Sequence, residues 1–394
     1  MAFGGGSSGS AALTAHTHNA ALAGDGGQLS QTLTDMGGVV LYSEITDNSA
    51  AVAANTAAIG VNTAAIAAIP APLPAGTGSE AAIYASRWGS RTASANDAWN
   101  NVAWSPDLSL FCAVASDKVM YSSTGSTWTT GSGQGNKAWN DLVWSPDLSL
   151  FCAVASGSTS LVMTSTNGTS WTSRTSAANN FWRSIDWSPS LTLFCAVASS
   201  GTGDRVETSP DGINWTSRNA AEENSWQSVA WSGSLFCAVS SDGTNRVMTS
   251  TDGITWTARA AAEANSWKDV VYSPELTLFC AVSSDGTNRV MTSPDGITWT
   301  ARAAAAANTW RSITWSPELS LFCAVSESGT GNRIMTSDDG ITWTSRTSAA
   351  DNAWRGIAWS PELYTFVSVC DNSGATINDL VMVNEAGSSN PFNI

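Results

Sequence analysis

The sequence predicts a mostly β chain whose bulk, residues 83–394, forms a seven-bladed β-propeller, preceded by an α-helical coiled coil and an extended N-terminal segment. Three observations carry that expectation. A tryptophan recurs at Trp99, Trp139, Trp182, Trp226, Trp267, Trp310 and Trp354, at intervals of about 40–44 residues, and such a period marks propeller blades or stacked repeats. Within each unit apolar residues alternate with a period of two, and turn residues divide the unit into four short stretches. The seventh unit ends after "LVMVNEAG" without its fourth stretch, and a matching stretch, Trp88–Thr92, stands ahead of the first unit.

The fifth unit shows the pattern. Its strands read "SWKDVVYS", "LTLFCAVSS", "NRVMTS" and "ITWTARA", joined by turns at "PE", "DGT" and "PDG". In "LFCAV", Leu278, Cys280 and Val282 point to one side and Phe279 and Ala281 to the other. Both faces are apolar, and a radial stack of four-stranded sheets covers both. Pairing Trp88–Thr92 into the seventh blade closes the ring and removes its free edge. Six of the seven cysteines, Cys112, Cys152, Cys195, Cys237, Cys280 and Cys323, share one slot of the repeat. Equivalent slots in successive blades lie too far apart for a disulfide, which needs Cα atoms within about 7 Å. They read as buried thiols; Cys370 stands three places past its slot, which Val367 fills.

The turn "S-x-D-G-x-T-W" occurs, with Asn for Thr in the first copy, at Ser209–Trp215, Ser250–Trp256, Ser293–Trp299 and Ser337–Trp343. Its Asp caps a tight turn, its Gly takes positive φ, and its Trp plugs the blade core. This turn resembles the Asp-box of sialidase-type propellers, with one residue fewer between Asp and Gly. The whole unit resembles the sialidase-like (BNR-type) repeats of phage tail proteins, bacterial surface proteins and photosystem assembly factors. Sialidase-type hydrolases need an arginine cluster, a Tyr nucleophile with its Glu, and an acidic proton donor. Here Arg174, Arg218, Arg259, Arg302 and Arg346 repeat as framework, and Tyr272 only replaces a repeat Trp. Asp107, Asp147, Glu275, Glu318 and Glu362 belong to a repeated "SP[DE]L" turn, while Glu207, Glu222, Glu223 and Glu263 lack a matched Tyr and Arg set. The sequence therefore predicts a protein that is not an enzyme.

Residues 41–70 change pattern. Ile45, Val52, Ile59 and Ile66 recur every seven residues, with Asn48, Asn55, Asn62 and Ile69 three places after each, in an Ala-rich background. Such heptads predict a coiled coil roughly 37 Å long. The I-x-x-N-T phrase resembles the stalks of trimeric autotransporter adhesins and phage fibres, which implies a parallel homotrimer whose inward Asn layers can hold an anion. "PAPLPAGTG" makes residues 71–82 a stiff linker. Residues 1–40 contain "HTHNAALAGDGGQLS", which resembles the start of phage tail-fibre proteins and implies a segment that attaches to the virion, at a tail or baseplate protein. In a trimer, His16 and His18 would bring six imidazoles around one axis, a candidate octahedral site for iron, zinc or nickel.

A net charge of −15 with no basic run excludes a nucleic-acid partner, and no apolar stretch is long enough to insert in a membrane. The N-terminus lacks a signal-peptide pattern, so the expected location is the virion, after synthesis in the host cytoplasm. The variable segments, such as "NAAEENSW" and "AAAEANSW", join fourth to first strands and share one rim with the second-to-third loops. That rim predicts a host-attachment surface for a glycan or protein receptor, with the seven first-strand tryptophans and Arg205, Arg246, Arg289 and Arg333 as candidate ligand-binding residues. The alternatives are a bacterial surface lectin or contractile-injection-system fibre, a sialidase-like polysaccharide depolymerase, and a structural spacer or decoration protein.

Overall fold

The structure, a computed structural model, describes residues 85–157, 159–371 and 376–385. The expected anchor, stalk and linker lie outside the described residues, and with them His16, His18, Ile45, Asn48, Val52, Asn55, Ile59, Asn62, Ile66 and Ile69. Among the described residues the only helical element is a 3-10 turn at Ile377–Asp379.

Seven four-stranded antiparallel sheets make up the propeller. In six of them the strands follow chain order, as in the fifth blade: Trp267–Ser273, Leu278–Ser283, Val290–Ser293 and Thr300–Arg302. The seventh blade takes Trp354–Ser360, Thr365–Cys370 and Val381–Asn384 from the end of the chain and Trp88–Arg91 from before the first blade. Trp88 lies opposite Asn384 and Arg91 opposite Val381. The junction is reinforced by an Arg91–Glu385 ion pair at 3.1 Å and by the amide of Ala93 donating to the carbonyl of Ile377 at 3.0 Å.

Each blade is held through its thickness by three aromatic rings in a row. Phe111 packs 4.5 Å from Trp104 and 6.4 Å from Trp128, and in the seventh blade Phe366 packs 4.5 Å from Trp359 and 6.2 Å from Trp88. Trp88 thus supplies the ring that the last repeat lacks. The middle strand, "LFCAV" in most blades, is buried on both faces, so neighbouring sheets cover it from both sides. The six cysteines of the shared slot are buried and free, as expected, and so is Cys370 outside it.

Both turns on one face of the disc are fixed by side chains. Ser209 Oγ accepts from the amide of Gly212 at 2.9 Å, Asp211 Oδ1 accepts from the amides of Ile213 and Asn214, and Gly212 sits at φ +70°. Those amide donors pull the Asp211 carboxyl down to about 2 against the opposing effect of its burial. In the "SP[DE]L" turn, the acidic residue reaches the next blade: the indole N–H of Trp144 donates to Asp107, Trp187 to Asp147, Trp315 to Glu275, Trp359 to Glu318 and Trp104 to Glu362. The acidic residues that repeat in the sequence are therefore clasps between blades.

Candidate functional site

Antiparallel order places the fourth-to-first and second-to-third loops on the opposite face of the disc. Here an asparagine two places before the first-strand tryptophan pins one loop to the other. Asn224 Nδ2 donates to the carbonyl of Asn245 at 2.7 Å, and Asn180, Asn265, Asn308 and Asn352 repeat the bond. Arg205, Arg246 and Arg289 then reach the following blade, donating from Nη1 to the carbonyls of Asn224, Asn265 and Asn308 at 2.7–2.8 Å. Arg333 turns to the carbonyls of Glu327 and Gly329 in its own loop and to Asp351. These four guanidinium groups spend donors on the protein itself and hold the loop face rigid.

The seven first-strand tryptophans, expected to meet a ligand, do not reach the surface. Trp99, Trp139, Trp182, Trp226, Trp267, Trp310 and Trp354 are each 0% exposed. Six of them donate their indole N–H to a carbonyl four residues upstream, as Trp310 does to Ala306 at 3.0 Å. With no accessible ring face they cannot stack on a sugar, and their place is in the core. The aromatic side chain that does project from the loop face is Phe181, 48% exposed, where the other blades carry Ser, Thr or Ala. Its backbone is fixed by the hydroxyl of Ser200 and the amide of Ser199.

What the tryptophans do is define a bulge. In every blade the pairing of first and second strands slips immediately after the Trp, leaving the next residue unpaired. A bulge re-aims its extra residue, and seven of them around the ring turn seven side chains toward the axis. They are Asn100, Asn140, Arg183, Gln227, Lys268, Arg311 and Arg355, and they line a polar mouth of about 50 Å³. Four of the 17 Lys and Arg residues in the whole chain stand in this one ring. Arg355 donates to Asn100 and Asp371 and approaches Glu327 at 3.3 Å; Arg311 approaches Glu327 at 3.7 Å. Arg183 gives its Nε–H to Ser199, and Lys268 makes no hydrogen bond or ion pair among the described residues. Burial, and then the charge of Arg311, hold both Arg183 and Lys268 below their ordinary values.

A second layer lies under the mouth, two places after each Trp. Asp269 accepts from the hydroxyls of Ser228 and Ser312 and from the amides of Val270 and Ile313; Asp141 accepts from Asn101 and from the amides of Leu142 and Ile185. Their oxygens stitch blade to blade, and burial raises both carboxyls, Asp141 to about 6. At this level the seventh blade has Gly356, where an added Cβ would meet Asn101 Cα at 2.6 Å, so only glycine lets the closing blade approach the first.

The axial ring is the feature that repeat reading misses. The column reads N, N, R, Q, K, R, R, and its departure from seven-fold symmetry is visible in the sequence; that it faces the axis follows only from the bulge. No protein-family model matches the chain, and no curated protein matches it in sequence. Among solved structures the chain is similar to a streptogramin B lyase (10% identity, TM-score 0.63, 75% of this chain and 97% of that one) and to a catalytically inactive virginiamycin B lyase from Staphylococcus aureus with quinupristin (10% identity, TM-score 0.65, 76% and 99%). It is also similar in fold to YCF48 from Cyanidioschyzon merolae (15% identity, TM-score 0.57, 78% and 100%). At these identities the likeness is one of fold, and the seven-bladed propeller is common to lyases and to proteins of other kinds, so architecture alone does not choose between catalysis and binding.

Proposed function

We propose that the propeller is the receptor-binding end of a trimeric phage tail fibre or similar virion appendage, and that its loop face engages a host-surface glycan or protein. The observation that carries this reading is the contrast between the two faces. One repeats the same clasped turns in blade after blade; the other varies in sequence on a frame of Asn and Arg bonds that fixes its loops in advance. A rigid frame with variable tips lowers the ordering cost of binding. On that face Phe181 offers an exposed ring for stacking against a sugar. The Ile and Asn heptads of residues 41–70 support the trimer, and an anion in the Asn layers belongs to the same proposal. The resemblance of residues 1–40 to tail-fibre starts supports attachment to a tail or baseplate protein, with metal at His16 and His18 as a part of that proposal. Three copies would add avidity to weak single sites.

The test is attachment of the full-length chain to bacterial envelope fractions and a glycan array. Phe181→Ser, which installs the kind of residue found in the other blades, should weaken binding about tenfold, whereas Ile297→Thr on the opposite face should leave it unchanged. Equal loss in both variants would refute the loop-face reading, and reducing-sugar release from the envelopes would replace it with a depolymerase.

A further inference from the structure

The axial ring has an uneven distribution of charge that the fold does not require. Going round the mouth, the seventh and sixth blades supply Arg355 and Arg311, which face Glu327 and Asp371. The fifth and third supply Lys268 and Arg183, which face no carboxylate within ion-pair reach among the described residues, and the fourth supplies Gln227, whose amide is held by Ser225 and Ser241. The two carboxylates beneath, Asp141 and Asp269, have their oxygens occupied by inter-blade donors, so they neither swing up to pair with these cations nor offer a vacant set of ligands to a metal. Two cations held half-buried near a third, with Glu327 and Asp285 attracting Lys268 only from beyond ion-pair distance, cost free energy unless something negative joins them more closely.

We propose that the arc Arg183–Gln227–Lys268–Arg311 at the mouth of the channel binds one compact anionic group, a carboxylate or a phosphate, carried by the surface polymer that the loop face engages. The site has the size for that and little more. About 50 Å³ accommodates a few waters or a single small group and excludes a whole sugar ring. The group would therefore enter end-on from a polymer lying across the loop face, with the guanidinium and ammonium donors of Arg183, Lys268 and Arg311 replacing its water. Specificity follows from the same geometry: a neutral polymer leaves the cations unpaired and gains nothing at the axis. The inference rests on the loop face being the binding face, and it names the chemistry that face selects.

The full-length protein is titrated with polygalacturonate, poly(glycerol phosphate) and neutral dextran of matched length, and with inorganic phosphate as a competitor. Either acidic polymer should bind, and which one does identifies the group; dextran should not. Affinity should fall as salt rises, because these charges are reached from solvent, where screening acts within about 8 Å at physiological ionic strength. The double variant Arg183→Gln/Lys268→Gln should lose about tenfold or more, and Gln227→Arg, which adds a cation to the same arc, should bind more tightly than the wild type. The gain keeps the test decisive if the double variant folds poorly. Equal binding of dextran, or no response to Gln227→Arg, would overturn the inference. If envelopes are bound through Phe181 but the double variant binds them like the wild type, the acidic-group inference fails while the loop-face reading stands. Acidic-polymer binding through the ring without any envelope binding would have the reverse meaning.

Discussion

Glu207 stands where the other six blades carry methionine, at Met120, Met163, Met248, Met291, Met335 and Met382, and like them it lies in the third strand facing the core. It is 0% exposed, one oxygen accepts from the amide of Ala177 at 2.7 Å, and the other has no partner. Burial raises its carboxyl from 4.5 to about 8, so the folded chain holds a proton that the unfolded chain releases. The stability this gives is fully present below about pH 4.5 and declines as pH rises to about 8, a change on the order of 4 kcal/mol if this site acted alone. Asp186, raised to about 7 by burial, and Asp141, raised to about 6, slope the same way. Glu207→Met should therefore raise the melting temperature at pH 8 and flatten its dependence between pH 5 and 8; a variant with the wild-type slope would show that Glu207 is not the group responsible. Ala177 is exposed, so its freed amide turns to water and the substitution strands no donor. That single Glu is visible in the sequence as an exception to its column, but its chemistry is not, because burial alone sets it.

At the scale of the turn, a carboxylate in one blade accepts from the tryptophan of the next at five of the seven seams. The other two flank the fourth blade. Ser190 occupies the acidic position of the third blade, the fourth has only the short turn Ser232–Gly233–Ser234, and the corresponding aromatics, Trp231 and Tyr272, have no such bond. The fourth blade is expected to exchange its amides for deuterium before its neighbours, as local openings begin where cross-links are fewest. Ser190→Asp should supply the missing acceptor for Trp231 and stabilise the propeller by about 1 kcal/mol, read as a higher denaturation midpoint and slower exchange in that blade. The pairing is encoded openly: the loop that lacks its acid precedes the Trp that lacks its partner. What the repeat does not disclose is direction, since "SP[DE]L" reads equally well as a turn closed within its own blade. The axial residues are hidden for a related reason. A column that varies from unit to unit looks like surface until a one-residue slip, repeated seven times, points it at the axis.

For the molecule as a whole, the repeat count and the displaced strand at Trp88 suffice to infer a closed ring, because an incomplete last unit and a matching orphan stretch leave one arrangement without a free edge. Trp88→Ala removes the third aromatic of the closing blade and is expected to destabilise the propeller by about 3–5 kcal/mol. With the strand loosened, Val381–Asn384 becomes an edge able to pair with another chain, so size-exclusion profiles of the variant should depend on concentration where those of the wild type do not. An unchanged midpoint would mean that the ring holds without its clasp. The pairing of Trp88 with Asn384 has one more consequence, and it concerns time. On the ribosome the strand at Trp88–Arg91 is finished before any complete blade exists, and its partner emerges only after the six intervening blades have been made. Until then the nascent propeller is an open arc, with a loose aromatic strand waiting for its partner, and the slowest contact of folding is the one that unites the first-made and last-made strands of the ring.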